Sequence, residues 1–528
     1  MSSEDIYTIS RQDRQFFIAV LLFILLLSSL PYVYAALKTH PGFVFGGFLL
    51  NPIDGNSYLA KMYQGWQGYW KFRLPYTSKA EAGTYFFLFY LFLGHLARLL
   101  GLSLIWMFHI SRIISASVMF FCLFRFYHSV LLKPAYYRYA FLLGAIGSGL
   151  GWLGSQFGVF SSDLWVAEAY PFLSTYANPH FPLGLAILLQ LVPPNTPLTN
   201  TIQWKEKIYL LLSNTLLAVL LSLIMPFASL LALTLNGIIL LYFLLVAKIR
   251  LGQLLHQRNA LRFVGIILGS LPILFYYLST IKKDPWLAGW NAQNITPAPT
   301  LLDLFISLSP ATFMAIFAIK RPSSQLGDNR WFLFSWLLVG LILVYLPIGL
   351  QRRFMVGIYI PFAGLAGITI GNMLEKGRQY VRLAVFSLLI LSSLTNLLVL
   401  ASAWYGVYHH SPLLYLRESE YTALKWIEEN TPEEAVIASS PEIGLFIPAY
   451  TGRRVIYGHP FETVKAEEAE NKILHFFDQQ SDPLDMEITN SVDYVFVGPR
   501  EGVLGGLPSG FKFTLVYQNS EVKVFRVH

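Results

Sequence analysis

Apolar runs of about 20 residues, separated by short polar and basic connections, fill the first three quarters of the chain; after that the pattern shortens into alternating helix-like and strand-like stretches. A run of that length is what an α-helix needs to cross roughly 30 Å of hydrocarbon. Eleven spans are predicted, at 16–37, 104–124, 139–157, 183–192, 208–225, 227–247, 263–281, 300–319, 331–350, 354–374 and 383–404. The fourth is so short that it crosses only as a broken element. The third carries the glycine-rich stretch GAIGSGLGWLG, which permits close helix approach. Residues 85–100 are also apolar, but His95, Arg98 and the break at Gly101 predict a helix dipping into the interface. A crossing there would put Arg125, Lys133 and Arg138 on the outer side, against the positive-inside rule.

The same rule places the amino terminus in the cytoplasm and gathers Lys205 and Lys207, then Lys248, Arg250, Arg258 and Arg262, then Lys320, Arg321 and Arg330, then Lys376, Arg378 and Arg382 in inner connections. The first apolar run follows Arg11 and Arg14 without a small-residue cleavage site and reads as a retained anchor. The predicted fold is therefore a polytopic α-helical membrane domain, residues 1–404, with a long first outer loop at 38–102, followed by a small soluble α/β domain at 405–528 outside the membrane. In that domain, strands are predicted at AVIAS, RRVIY, DYVFVG, FKFTLVY and VKVFRV, and helices through YTALKWIEEN, EIGLFIPAY and 467–477. Within the first outer loop, NPIDGNSYLAKMYQGWQGYW predicts an amphipathic helix lying in the interface. Tyr58, Met62, Trp66, Tyr69 and Trp70 form its aromatic side; Ser57, Lys61, Gln64 and Gln67 form the other.

Composition agrees with this picture: 55% of residues are hydrophobic and only 13% charged. The formal charge of +8 lies in short clusters between apolar runs, which argues against nucleic acid as a partner. The single cysteine, Cys122, lies inside an apolar run, so the chain has no intramolecular disulfide and no cysteine metal site.

Candidate chemistry gathers on the predicted outer side. Asp54 opens the first outer loop; His109 and Arg112 lie in the outer half of the second span; Asp163, Glu168 and His180 occupy the next outer loop; and Arg352 and Arg353 follow the ninth span. Ionisable groups near membrane depth are costly and mark functional sites by default. Carboxylates and imidazoles beside paired arginines suit a site where a base activates a nucleophile and guanidinium forks hold a phosphate. Each residue also has a plainer reading. Asn51 and Pro52 can start a helix whose dipole Asp54 complements, His180 can shape a turn after Asn178-Pro179, and Glu168 can cap a loop helix. Arg112 can pair with a carboxylate, and the arginine pair can meet ordinary lipid headgroups.

The order of elements carries a family resemblance. An inner amino terminus, one span, a long outer loop opening with an acidic residue before an aromatic helix, and an R-x-x-S-A pattern from Arg112 to Ala116 resemble the GT-C superfamily of integral-membrane glycosyltransferases. The stretch ALKWIEENTPEEAVIASSPEIGLFIPAYTGRRVIYGHPFET is similar to the outer domains of bacterial members. The resemblance implies a bacterial plasma-membrane enzyme that transfers a sugar from a polyprenyl-phosphate-linked donor to a lipid, glycan or protein acceptor on the outer face. It implies a catalytic role for Asp54. Glu168 and His180 then complete the catalytic set, with Arg352, Arg353, Arg112, His109 and Tyr58 as substrate contacts. Asp54, Asp163, Glu168 and His180 are the candidate ligands if a divalent cation, magnesium or manganese, takes part. The chain lacks the acidic pair of many members, since Gly55 follows Asp54, which leaves metal dependence open. In the soluble domain, Glu442, Arg453, Arg454, His459 and Glu462 are candidate substrate contacts or a surface ion network. A non-catalytic scaffold and a secondary transporter are the alternatives; a transporter would carry two similar halves and midplane charges, and no repeat is visible.

Overall fold

The computed structural model describes residues 9–39, 41–79, 82–131, 133–192, 203–245, 257–320, 330–375, 377, 379–478, 488–507 and 512–528. The inner-connection residues Lys248, Arg250, Arg321, Lys376 and Arg378 lie outside them. Among the described residues, seven helices are long and apolar enough to cross a membrane: α1 (Arg11–Leu37), α4 (Leu104–Val130), Trp204–Ile224, Pro226–Leu245, Arg258–Lys283, Gln351–Leu374 and Gln379–Tyr408. An eighth is the pair Leu301–Leu308 and Ala311–Ile319, bent by 88°. The chain is a multi-pass membrane protein.

Two of the eleven predicted spans, the third and the ninth, come out shorter, as α5 (Pro134–Ile146) and Arg330–Val344, and the fourth is the short helix His180–Leu191; the three have 13, 15 and 12 residues. At 1.5 Å per residue they reach roughly 18–23 Å, less than the hydrocarbon thickness. The predicted third span breaks after Ile146, where two glycines leave the helix. A broken apolar segment must find partners for its main chain. Here Ser148 N–H donates to the Ser392 carbonyl at 2.6 Å and Leu150 N–H to the Ile306 carbonyl at 2.8 Å.

Two compact units divide the chain: residues 1–30, 111–276 and 296–402 form one, and residues 31–110, 277–295 and 403–528 form the other. In the first, the helix Tyr359–Leu374 packs on α5 with no room to spare. A Cβ at Gly367 would come within 2.6 Å of the Ala140 methyl.

In the second unit, α2 (Pro52–Gln67) crosses α3 (Leu88–Leu100) at a pair of glycines. A Cβ on Gly65 would collide with the Leu91 carbonyl, and one on Gly94 with the Met62 carbonyl. The crossing is therefore backbone on backbone. The aromatic side of α2 is spent on it: Tyr58 stacks on Tyr90 at 4.4 Å, and Met62 and Trp66 enter the same apolar cluster as Leu93 and Ala97. The opposite side is not solvated either, because Ser57 and Lys61 are buried.

Strand β1 (Phe43–Phe45) in the first loop pairs antiparallel with β2 (Tyr415–Arg417). Three residues at each end of so long a chain segment carry no periodic signal, and neither strand was predicted. Beyond them, β3 (Val436–Ala438), β4 (Arg454–Val455), β5 (Tyr494–Val497), β6 (Phe513–Gln518) and β7 (Lys523–Val527) form one sheet in the order β4-β3-β5-β7-β6. β3 runs parallel to β4 and β5; β7 is antiparallel to β5 and β6. Alternation of side chains covers both faces. Ile437, Tyr494 and Phe496 pack with the helices Glu418–Asn430 and Pro441–Thr451, whereas Val436, Ala438 and Val495 pack with Ala466–Phe477.

Candidate functional site

Asp54 lies in the first turn of α2, two residues after Pro52 at the helix start. Asn51 does not cap the helix through its side chain. It adopts a left-handed conformation (φ 50°), and its carbonyl accepts the Gly55 N–H at 2.9 Å. The Asp54 carboxylate remains 48% exposed, at the end of the helix where the macrodipole favours a negative charge.

From Asp54, positions i+3 and i+7 place Ser57 and Lys61 along one face of α2. Lys61 is fully buried, with its ammonium donating to the Ser57 hydroxyl and, at 2.6 Å, to Glu462 Oε1; Ser57 donates to the same oxygen at 2.5 Å. The rings of Phe87 and Tyr58 lie 4.5 and 5.4 Å from the ammonium and add cation–π stabilisation. Burial alone would raise the Glu462 carboxyl. The Lys61 ammonium, helped by the Ser57 hydroxyl, outweighs it and holds the group below its usual range.

Glu462 belongs to the loop that follows β4, and His459 is on the same loop. Close packing of the helix Pro441–Thr451 fixes where this loop starts: a Cβ on Gly444 would strike the Tyr457 carbonyl, and one on Gly458 the Gly444 carbonyl. His459 is 1% exposed. Its Nδ1 accepts the N–H groups of Phe461 and Glu462, each at 3.1 Å, so the neutral ring carries its proton on Nε2. Nε2 has no hydrogen-bond partner among the described residues and lies 3.5 Å from Asp54 Oδ1. Of the five soluble-domain candidates, His459 and Glu462 thus join Asp54. Arg453 is buried against the carbonyls of Glu428, Thr431 and Thr451, Arg454 donates to those of Ser78 and Glu434, and Glu442 pairs with Arg500.

The first unit holds a different group. Arg353 pairs with Glu168 at 3.5 Å, and the Arg352 guanidinium stacks over Trp165 at 4.2 Å. Main-chain bonds from Gly357 N–H to the Glu168 carbonyl and from Arg352 N–H to the Thr296 carbonyl set this arrangement. Asp163 is fully buried with both oxygens engaged: Oδ2 accepts the N–H groups of Gly149 and Gly151 at 3.0 Å, and Oδ1 the Ser161 hydroxyl at 2.6 Å. It closes the break in the third predicted span. Arg112 is buried and donates to the carbonyl of Thr175 at 2.9 Å and to Ser29 Oγ at 3.3 Å. His180 begins the helix His180–Leu191 with its ring on Phe181 at 4.1 Å. His109, in the second unit, meets the Gly47 carbonyl at 2.9 Å and the Tyr32 ring at 4.7 Å. Among the described residues no group of three or more His, Cys, Asp or Glu side chains is arranged to hold a metal ion.

The sequence singled out Asp54 but not Ser57 and Lys61 as its neighbours on one face. Their i, i+3 and i+7 spacing was the available signal.

No family model matches the sequence, and no curated protein matches it significantly. Solved structures do. The oligosaccharyltransferase AglB from Archaeoglobus fulgidus, in complex with an inhibitory peptide and a dolichol-phosphate, is 14% identical over 93% of this chain and 70% of that one, with a TM-score of 0.54. The same organism's oligosaccharyltransferase tethered to an acceptor peptide is 13% identical over 96% of this chain and 74% of that one, at 0.53. ArnT from Cupriavidus metallidurans bound to undecaprenyl phosphate is 11% identical over 97% of both chains, at 0.52. These proteins are GT-C superfamily membrane glycosyltransferases, and the fold of this chain is theirs.

Proposed function

We propose that the chain is a membrane glycosyltransferase that moves a sugar from a polyprenyl-phosphate-linked donor to an acceptor hydroxyl or amide on the extracytoplasmic face. The observation that carries the reading is the Asp54 carboxylate: half-exposed at a helix start, with a buried imidazole nitrogen 3.5 Å away, on a fold shared with such enzymes. Asp54 takes the proton of the acceptor as its heteroatom attacks the anomeric carbon. The bond from that carbon to the phosphate oxygen breaks, and the electron pair leaves with the phosphate. In the other unit, Arg352 and Arg353, with Glu168 against Arg353, are the candidate contacts for a lipid phosphate, and His180 is a candidate for acceptor binding. The lipids bound to the AglB and ArnT structures support a lipid-phosphate class of donor. The amino terminus lies in the cytoplasm of a bacterial cell and the sheet domain outside, as the basic connections indicate.

The test is transfer of a labelled sugar from a polyprenyl-phosphate donor by purified protein. Asp54→Asn abolishes transfer while the protein still retains lipid phosphate, read by mass spectrometry. Unchanged transfer by the variant overturns the assignment of Asp54.

A further inference from the structure

The geometry points to His459 as a positioning residue that holds the Asp54 carboxylate, delivered by a loop that is itself latched to the helix carrying Asp54. This deepens the proposed function and rests on its reading of Asp54 as the base.

Two spacings meet. On α2, Asp54, Ser57 and Lys61 stand at i, i+3 and i+7; on the loop, His459 and Glu462 stand three residues apart. Glu462 Oε1 takes both the Ser57 hydroxyl and the Lys61 ammonium, which fixes the loop against the second and third turns of the helix. One step back along the loop, His459 then meets the first turn at Asp54. The Glu462 main chain serves the same end, because its N–H and that of Phe461 occupy His459 Nδ1. Those two donors fix the tautomer, so the only proton the neutral ring can offer is on Nε2, toward Asp54 Oδ1. A buried imidazole N–H with no hydrogen-bond partner among the described residues is costly to keep, and a bond from it to a carboxylate relieves that cost. At 3.5 Å the contact is long, and catalytic hydrogen bonds commonly shorten when substrate is bound. The N–H restrains one oxygen of a carboxylate that remains half-exposed. The logic is that of a base oriented by a third group.

Two substitutions separate this role from simple packing. His459→Asn keeps an acceptor where Nδ1 stands, preserving the turn, and removes the donor; His459→Gln places an amide N–H near the Nε2 position. The expected result is a fall of roughly 10- to 100-fold in kcat for His459→Asn with the donor KM unchanged. The acid limb of its pH–rate profile moves to higher pH, and His459→Gln recovers most of the rate. In ¹⁵N-histidine spectra of the intact protein, the signal absent from His459→Asn reports a neutral ring protonated on Nε2 and shifts in Asp54→Asn. Full activity with an unmoved acid limb in His459→Asn, or no recovery in His459→Gln, overturns the inference. So does a His459 signal indifferent to Asp54→Asn. Transfer lost in Asp54→Asn but kept in His459→Asn removes this inference alone, whereas transfer that survives Asp54→Asn removes the reading of Asp54 as base.

Discussion

Asp54 and Asp163 are both lone acidic residues in outer segments by sequence, yet they end in opposite conditions. Asp163 is fully buried, and two backbone amides with a serine hydroxyl occupy its oxygens. Asp54 is half-exposed and has an imidazole nitrogen to one side. A carboxylate sealed among main-chain donors stabilises a fold and lies out of reach of a substrate; one that remains half-exposed can be reached. The contrast is one of access, since both groups have the same intrinsic chemistry.

The largest effect expected from breaking this contrast is on turnover. Asp54→Asn lowers sugar transfer by about 10²- to 10⁴-fold, the range for loss of a general base, with unfolding unchanged. Asp163→Ala does the reverse. It strands the amides of Gly149 and Gly151, and thermal unfolding in detergent shows a loss of roughly 2–4 kcal/mol, while the folded fraction keeps its kcat. Lys61→Met lies between the two. Removing the buried partner of Glu462 costs about 3 kcal/mol and loosens the loop that carries His459, so stability and kcat fall together. In the unaltered protein the Glu462 contribution is present above the ordinary carboxylate range. It is lost as pH falls through the depressed value of that group, which an acid unfolding titration reads. The smallest change is expected at Arg353, which is 44% exposed: Arg353→Gln raises the donor KM by about 3- to 10-fold and leaves stability alone.

Much of the architecture was legible because hydrophobic run length and strand alternation are local signals. The long apolar helices, the strands from Val436 to Val527 and the three helices among them all follow from it. The shortened third predicted span was harder to read, since GAIGSGLGWLG is apolar enough to pass as continuous; only the partners in Ile306, Ser392 and Asp163 make the break tolerable. The candidate site was legible one residue at a time. Asp54, Glu168, Arg352 and Arg353 stood out as charges in apolar surroundings, and the pairing of Glu168 with Arg353 joins residues 185 positions apart that no spacing rule links. The burial of Lys61 was not legible, because amphipathic periodicity says which side of a helix is polar and not whether water reaches it.

The latch between Ser57 and Glu462 joins residues 405 positions apart. At a synthesis rate of 5–20 residues per second, the segment carrying Ser57 waits about 20–80 s before its partner is synthesised. During that interval the Lys61 ammonium has no Glu462 to meet, and the edge of β1 lies open until β2 arrives. The nascent chain thus passes through a period in which α2 has been synthesised while the loop that engages Ser57 and Lys61 is still to come.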